Sequence, residues 1–127
     1  MSTVPVISII DDDESVRTAI TRLVQSLGFV GLTFSSAREF LRSPQRHDIA
    51  CLITDVQMPD ISGTDLQRIL IAEGNNVPII LITAFPDEGI RARALKAGAI
   101  GFLSKPFEGS ALIQCIDNAL KNQSSKN

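Results

Sequence analysis

The segment ISIIDDDES, residues 7–15, places three adjacent carboxylates directly after an apolar run. Like charges side by side repel one another, so this arrangement requires either solvation in a turn or a bound cation. Other groups capable of chemistry also follow apolar runs, namely the carboxylate of Asp55, the hydroxyl of Thr83 and the ammonium group of Lys105. These groups can act together chemically only if the fold brings them close to one another.

Brought into one pocket, these groups would suit phosphoryl transfer to an aspartate. Mg²⁺ commonly takes one or two protein carboxylates together with waters and a phosphate oxygen. A carboxylate is ionised at neutral pH, so Asp55 could attack phosphorus without a general base, and the single histidine, His47, lies elsewhere in the sequence. Lys105 would balance phosphoryl charge, and Thr83 would donate a hydrogen bond to a phosphoryl oxygen.

Five apolar segments have the character of strands that could position these groups. Most are apolar on both faces, which is typical of parallel strands covered by helices on each side. They span residues 4–10, 29–34, 49–54, 77–83 and 99–104.

Helical patterns alternate with these strands. One apolar stripe is followed by Gly28 as a predicted cap, and Ser36 with Glu39 predicts a capping box for a short second helix. A third helix is predicted to end at Gly74, and the fourth, residues 87–97, is only weakly amphipathic. The first stripe consists of Val16, Ile20, Leu23, Val24 and Leu27, and the last of Leu112, Ile113, Ile116, Ala119 and Leu120.

Five strands alternating with five helices predict an α/β fold, a doubly wound five-stranded parallel sheet with helices on both faces. Ligands of such sheets bind outside the carboxyl ends of the strands. Polar groups follow the first, third, fourth and fifth strands, whereas the second ends in Thr33, Phe34 and Ser35. If the second strand lies at an edge, the other four ends converge on one pocket.

Length, charge and cysteine content restrict the remaining possibilities. A chain of 127 residues fits one domain. A net charge of -2 offers no basic surface for nucleic acid, and no segment is long and apolar enough to span a bilayer, so we expect a cytoplasmic protein that binds neither nucleic acid nor membrane. Cys51 and Cys115 lack metal-ligand spacing and are predicted to be core thiols.

Four ordered blocks resemble the receiver domain of bacterial two-component response regulators: IIDD, LITDVQMPDISG, LITA and FLSKPF. The resemblance extends over about residues 4–120, and the tract GAIGFLSKPFE is most similar to receivers of the FixJ type. It implies a CheY-like fold with strand order 2-1-3-4-5, phosphorylation by a sensor histidine kinase, and control of an output by the aspartyl phosphate. It also implies a signalling domain that catalyses only its own phosphorylation and dephosphorylation.

The same resemblance implies roles for individual residues. Asp55 would be the phosphoacceptor, Asp12 would bind Mg²⁺ directly, and Asp11 would assist partly through water. The backbone carbonyl of Gln57 would complete the protein ligands. Thr83 and Phe102 would form the switch pair. Lys105 would be the phosphate-binding lysine, and the peptide bond between Lys105 and Pro106 is typically cis in the family.

The aspartate run admits a second register, in which the metal pair is Asp12 and Asp13. We favour Asp11 and Asp12, because Asp13 and Glu14 then lie at the start of the first helix, where negative charge is favourable. Asp11 and Asp13 also match the DxD pattern of a haloacid-dehalogenase-like phosphatase, which would leave Asp55 without a role. A flavodoxin-like FMN carrier or a degenerate receiver that acts only through protein contacts is the other alternative, although the chain has no Trp or Tyr to stack on a flavin.

The predicted organisation is a receiver domain over residues 1–122 and a polar tail or start of a linker over residues 123–127. By resemblance to FixJ-type receivers, we expect phosphorylation to promote homodimerisation through the face made by the fourth helix and fifth strand. A DNA-binding output domain that regulates transcription would lie outside this chain.

Overall fold

The computed structural model describes residues 4–124, with side chains described as far as residue 121. Within these described residues, five strands and five α-helices alternate, with one additional 3₁₀ turn at Pro44–His47. The strands are β1 (Val6–Ile10), β2 (Val30–Phe34), β3 (Cys51–Asp55), β4 (Ile79–Thr83) and β5 (Gly101–Ser104). The helices are α1 (Glu14–Ser26), α2 (Ala37–Arg42), α3 (Gly63–Ala72), α4 (Glu88–Lys96) and α5 (Gly109–Ser124).

All five strands form one parallel sheet in the order β2-β1-β3-β4-β5. This confirms the predicted fold class and strand order. β2 lies at an edge, which was the condition for convergence, and the other four carboxyl ends are consecutive neighbours. The residues that follow β1, β3, β4 and β5 therefore lie along one end of the sheet.

Helices cover both faces of the sheet and divide the core into two clusters. Alternate strand residues point to opposite faces, so Ile9 and Ile53 pack with α1 and α5, whereas Ile10 and Leu52 pack with α2, α3 and α4. Every residue of β3 and β4 is buried. Cys51 is a buried free thiol within the first cluster and Cys115 is a half-buried free thiol that packs against it. Burial raises the pKa of the Cys51 thiol to about 12, in keeping with a core thiol.

The helix ends follow the predicted signals with one correction. Gly28, Gly74 and Gly98 follow α1, α3 and α4 with positive φ angles, a conformation that glycine adopts without steric cost. Ser36 caps α2, but the Glu39 carboxylate accepts from the Ser35 amide rather than from Ser36, so the predicted reciprocal box is wrong.

The predicted boundaries differ from the observed ones chiefly at the strand starts. Each strand begins one or two residues later than its apolar run. Before β2 and β4, Phe29 and Val77 pack against the core without joining the ladder, whereas Val4, before β1, is 54% exposed. α5 continues to Ser124, and residues 125–127 of the predicted polar tail lie outside the described residues. Within residues 4–124, no helix combines the length and hydropathy that a membrane crossing requires.

Candidate functional site

Three carboxylates meet at the carboxyl ends of the adjacent strands β1 and β3. Asp11 and Asp12 follow β1, and Asp55 ends β3, which pairs directly with β1. Each residue offers one carboxylate oxygen, and these oxygens lie within 4.8 Å of one another. Asp11 and Asp55 are buried, whereas Asp12 is exposed. This arrangement of hard oxygen ligands, open on one side, fits a divalent cation such as Mg²⁺.

Lys105 extends from the loop after β5 into this carboxylate cluster. Its Nζ donates to Asp11 Oδ2 at 2.9 Å and lies 3.4 Å from Asp55 Oδ2. Partial burial alone would lower the pKa of Lys105, but the hydrogen bond and charge of Asp11, together with Asp55, outweigh it and raise the pKa. The peptide bond between Lys105 and Pro106 is cis, as the resemblance implied. The ammonium group is thus a fixed positive charge between two buried carboxylates.

Asp55 is the least satisfied member of the cluster. Within the described part of the chain, its Oδ1 is buried and has no hydrogen-bond partner. Burial raises the pKa of the Asp55 carboxyl, the charge of Asp11 raises it further, and Lys105 partly opposes both. A buried carboxylate oxygen without a partner is costly, so its presence favours a role in which an external ligand engages it.

Asp13 is engaged in a different interaction from its neighbours. It is the N-cap of α1, and its Oδ1 accepts from the Ser15 amide at 2.8 Å and from the Ser15 hydroxyl at 2.6 Å. These two hydrogen bonds lower the pKa of Asp13. Its position agrees with the favoured register, in which Asp11 and Asp12 form the pair. The geometry gives no support to a site built from Asp11 and Asp13.

Thr83 ends β4 next to the acidic cluster, but its hydroxyl is occupied by other partners. Thr83 Oγ1 donates to the side-chain oxygen of Gln57 and accepts from the Phe85 amide at 3.0 Å. Sequence reasoning singled out only the backbone carbonyl of Gln57 and missed this side-chain contact. No local signal could have revealed it, because the contact depends on the pairing of β3 with β4.

Phe102 lies on β5 and is half-buried. It packs against the cluster formed with α2, α3 and α4, so its ring contacts the core without being enclosed by it. The predicted switch role of Phe102 and the ligand role of the Gln57 carbonyl remain predictions.

Gly63, the first residue of α3, lies directly against Asp55. A Cβ atom there would collide with the Asp55 carbonyl oxygen, and the Gly63 amide donates to the Val56 carbonyl at 2.9 Å. Glycine is therefore required for close backbone approach behind the site. The preceding Ser62 forms a capping box with Asp65 that sequence reasoning also missed.

Comparison with known proteins shows similarity over nearly the whole chain. Residues 7–117 match the family described as the response regulator receiver domain. The chain is 45% identical over 116 residues to the response regulator protein TodT of Pseudomonas putida, covering 91% of this chain and 51% of that protein. It is 37% identical over 114 residues to the transcriptional regulatory protein FixJ of Azorhizobium caulinodans, covering 90% of this chain and 54% of that protein.

A solved structure of a receiver domain protein from Clostridium thermocellum superposes with a TM-score of 0.90 at 30% identity, covering 98% of this chain and all of that one. The chain spans about half the length of the curated relatives it matches. These similarities support the receiver interpretation over the phosphatase and flavin-carrier alternatives. With its parallel sheet, its acidic cluster and this match, the chain belongs to the response regulator receiver domain family.

Proposed function

We propose that this receiver accepts a phosphoryl group on Asp55 in a Mg²⁺-dependent reaction with a sensor histidine kinase. The buried and unpartnered Oδ1 of Asp55, beside two further carboxylates and one lysine, is the observation that supports this most directly. A degenerate receiver acting only through protein contacts would have no need to keep this costly group.

In this reaction, a carboxylate oxygen of Asp55 forms a bond to phosphorus while the bond from phosphorus to the kinase histidine nitrogen breaks. The histidine nitrogen retains the electron pair of that bond. Asp11, Asp12 and Asp55 would hold Mg²⁺, which, when bound, would neutralise charge on the carboxylates and the phosphoryl oxygens. Lys105 already contacts both buried carboxylates and would pair with a phosphoryl oxygen.

Labelling with a small phosphodonor tests this proposal without the kinase. Intact-mass analysis after incubation with Mg²⁺ should show one added phosphoryl group that is stable in acid and labile in base. The variant Asp55→Asn should not be labelled, and Asp48→Asn, a change at an exposed aspartate in a loop, should label normally. Equal labelling of Asp55→Asn would contradict the proposal.

The metal assignment has its own test. Mg²⁺ should bind weakly before phosphorylation, because a site open to several waters gains phosphoryl oxygens only afterwards. Asp12→Ala should abolish Mg²⁺-dependent labelling while the fold persists. If Asp13→Ala were the more damaging change, the register of the aspartate pair would be wrong.

The output should involve α4, because α4 is held to the rest of the domain more weakly than α5. Ala94 is its one buried side chain, and Gln67 on α3 donates a hydrogen bond to the Ala94 carbonyl at 3.1 Å. By contrast, α5 buries Leu112, Ile116 and Ala119. An element with few buried contacts is the one that can shift at low free-energy cost.

We propose that phosphorylation moves Thr83 towards the phosphoryl group, lets Phe102 turn inward, and thereby promotes homodimerisation through α4 and β5. The phosphoryl contact to Thr83 supplies the differential binding that a population shift requires. Sedimentation should show a larger mass for phosphorylated protein and no change for phosphorylated Thr83→Ala. An unchanged mass for phosphorylated wild type would contradict dimerisation by this domain alone.

The natural protein should also carry an output domain that acts on transcription. This proposal is supported by the similarity to FixJ, a transcriptional regulatory protein, and by the half-length coverage of the curated relatives. Sequencing the gene beyond the codon for Asn127 tests it. A DNA-binding domain there would support the proposal, and a stop codon would contradict it.

A further inference from the structure

The hydroxyl of Thr83 is fully engaged in this structure. Thr83 is 1% exposed, and its Oγ1 donates to Oε1 of Gln57 while accepting from the Phe85 amide at 3.0 Å. A hydroxyl carries a single hydrogen and can therefore donate to only one acceptor at a time. The Gln57 side chain holds that hydrogen.

This contact competes with the switch step, on the assumption that the function proposed above is correct. For Thr83 to donate to a phosphoryl oxygen on Asp55, it must first release the oxygen of Gln57. We propose that the Gln57 side chain is a positioning residue that latches Thr83 in its unphosphorylated orientation, so that its identity sets how readily the domain switches.

The position of Gln57 is fixed by the sheet, whereas its side chain is free to leave. Val56 is buried and its amide donates to the Ile82 carbonyl at 2.8 Å, which continues the β3–β4 pairing up to the residue before Gln57. The Gln57 residue itself is exposed. Water can replace its partner when the bond breaks, so the latch is weak enough for a phosphoryl group to open.

The same hydroxyl also connects the latch to the segment that leads into α4. The Phe85 amide is held only two residues before the α4 N-cap, Asp87, and Phe85 is 72% exposed. Rotation of Thr83 away from Gln57 therefore also alters the hydrogen bond of the Phe85 amide. Release of the latch is thereby coupled to the helix whose movement the output requires.

The size of the effect follows from the net free energy of one hydrogen bond. A typical intramolecular hydrogen bond contributes about 1 kcal/mol, which corresponds to about a fivefold change in an equilibrium constant. Gln57→Met keeps the length of the side chain and its backbone carbonyl but removes the amide oxygen. It should favour the switched state about fivefold.

The first measurement uses the unphosphorylated chain and does not depend on the proposed chemistry. The Thr83 methyl carbon shift and scalar couplings, measured by NMR, report its χ1 rotamer. Wild type and a control variant, Gln25→Met at an exposed position on α1, should show one rotamer, and Gln57→Met should show averaging over several. A single unchanged rotamer in Gln57→Met would overturn the latch.

The second measurement is the affinity for beryllofluoride, a phosphoryl mimic, in the presence of Mg²⁺. Gln57→Met should bind it about fivefold more tightly than wild type and Gln25→Met. In a Thr83→Val background, which lacks the hydroxyl, the Gln57→Met change should have no effect. An equal gain in that background would show that Gln57 acts independently of Thr83 and would overturn the proposal. If wild type binds no beryllofluoride, the proposed function fails while the rotamer measurement still decides the latch.

Discussion

The interior of the sheet and its carboxyl end both contain buried side chains, but these side chains affect stability in opposite ways. Ile53 and Asp55 lie two residues apart on the same face of β3, with exposures of 0% and 5%. Ile53 packs in the cluster formed with α1 and α5, whereas Asp55 keeps one oxygen without a partner and faces a second buried carboxylate. The interior is therefore built for stability, and the end of the sheet gives up some stability to hold reactive groups.

The largest effect should come from the interior. Ile53→Ala removes a fully buried side chain and leaves a cavity, so the free energy of unfolding should fall by about 2–5 kcal/mol. Denaturant titration of both proteins measures this difference. A loss below 1 kcal/mol would contradict the conclusion that the interior of the sheet contributes more to stability than its carboxyl end.

A bound metal ion should offset part of the free-energy cost of holding the carboxylates together at the end of the sheet. Mg²⁺ at tenfold its dissociation constant should raise the free energy of unfolding of wild type by about 1.4 kcal/mol, because it binds only the assembled carboxylates. Asp12→Ala should show no such gain. Thermal denaturation with Mg²⁺ and with chelator provides the measurement, and Ile53→Ala should retain the gain, since its carboxylates are intact.

Removing the charge of Asp55 should act in the direction opposite to Ile53→Ala. Asp55→Asn relieves the repulsion with Asp11 and should raise the free energy of unfolding by about 1 kcal/mol in metal-free buffer at neutral pH. Denaturant titration with chelator present checks the sign. A loss of stability would show that the ion pair with Lys105 outweighs the cost of burial.

The smallest effect is the pH dependence of that difference. The pKa of Asp55 in the folded protein is raised by burial and by Asp11, so the folded state binds the proton more tightly than the unfolded chain. The contribution of Asp55 to stability therefore improves as pH falls through the raised pKa, and the advantage of Asp55→Asn should shrink. Asp13 and Asp65, whose pKa values are lowered, are present in both proteins and cancel in the comparison.

The sequence predicted the carboxyl end of the sheet better than the opposite end for a physical reason. Polar side chains such as Asp55 and Thr83 mark where each strand must stop, and the predicted strand ends lie within one residue of the observed ones. Apolar residues before the strands, such as Val77 and Phe29, pack against the core without joining the ladder. Hydropathy does not distinguish an apolar residue within a strand from an apolar residue that packs just before it.

The grouping of the charged residues at one end of the sheet could be predicted from the sequence. The individual side-chain hydrogen bonds around them could not. Asp11, Asp12, Asp55 and Lys105 lie at or just after strand ends, so the topology rule for parallel sheets predicts that they lie close together. The bonds from Thr83 to Gln57 and from Gln67 to Ala94 join residues far apart in sequence through the orientation of single side chains. No periodicity or motif encodes such a contact.

The order of the strands also has a kinetic consequence. The carboxylate cluster spans β1 and β3, and of the four strand pairings this one joins residues with the widest separation in sequence. Closing a longer loop costs more chain entropy, so this pairing contributes strongly to the contact order that slows folding. During refolding, the ability to bind Mg²⁺ should therefore appear only once the two halves of the sheet have joined, which makes metal binding a reporter of the most non-local event in the folding of the chain.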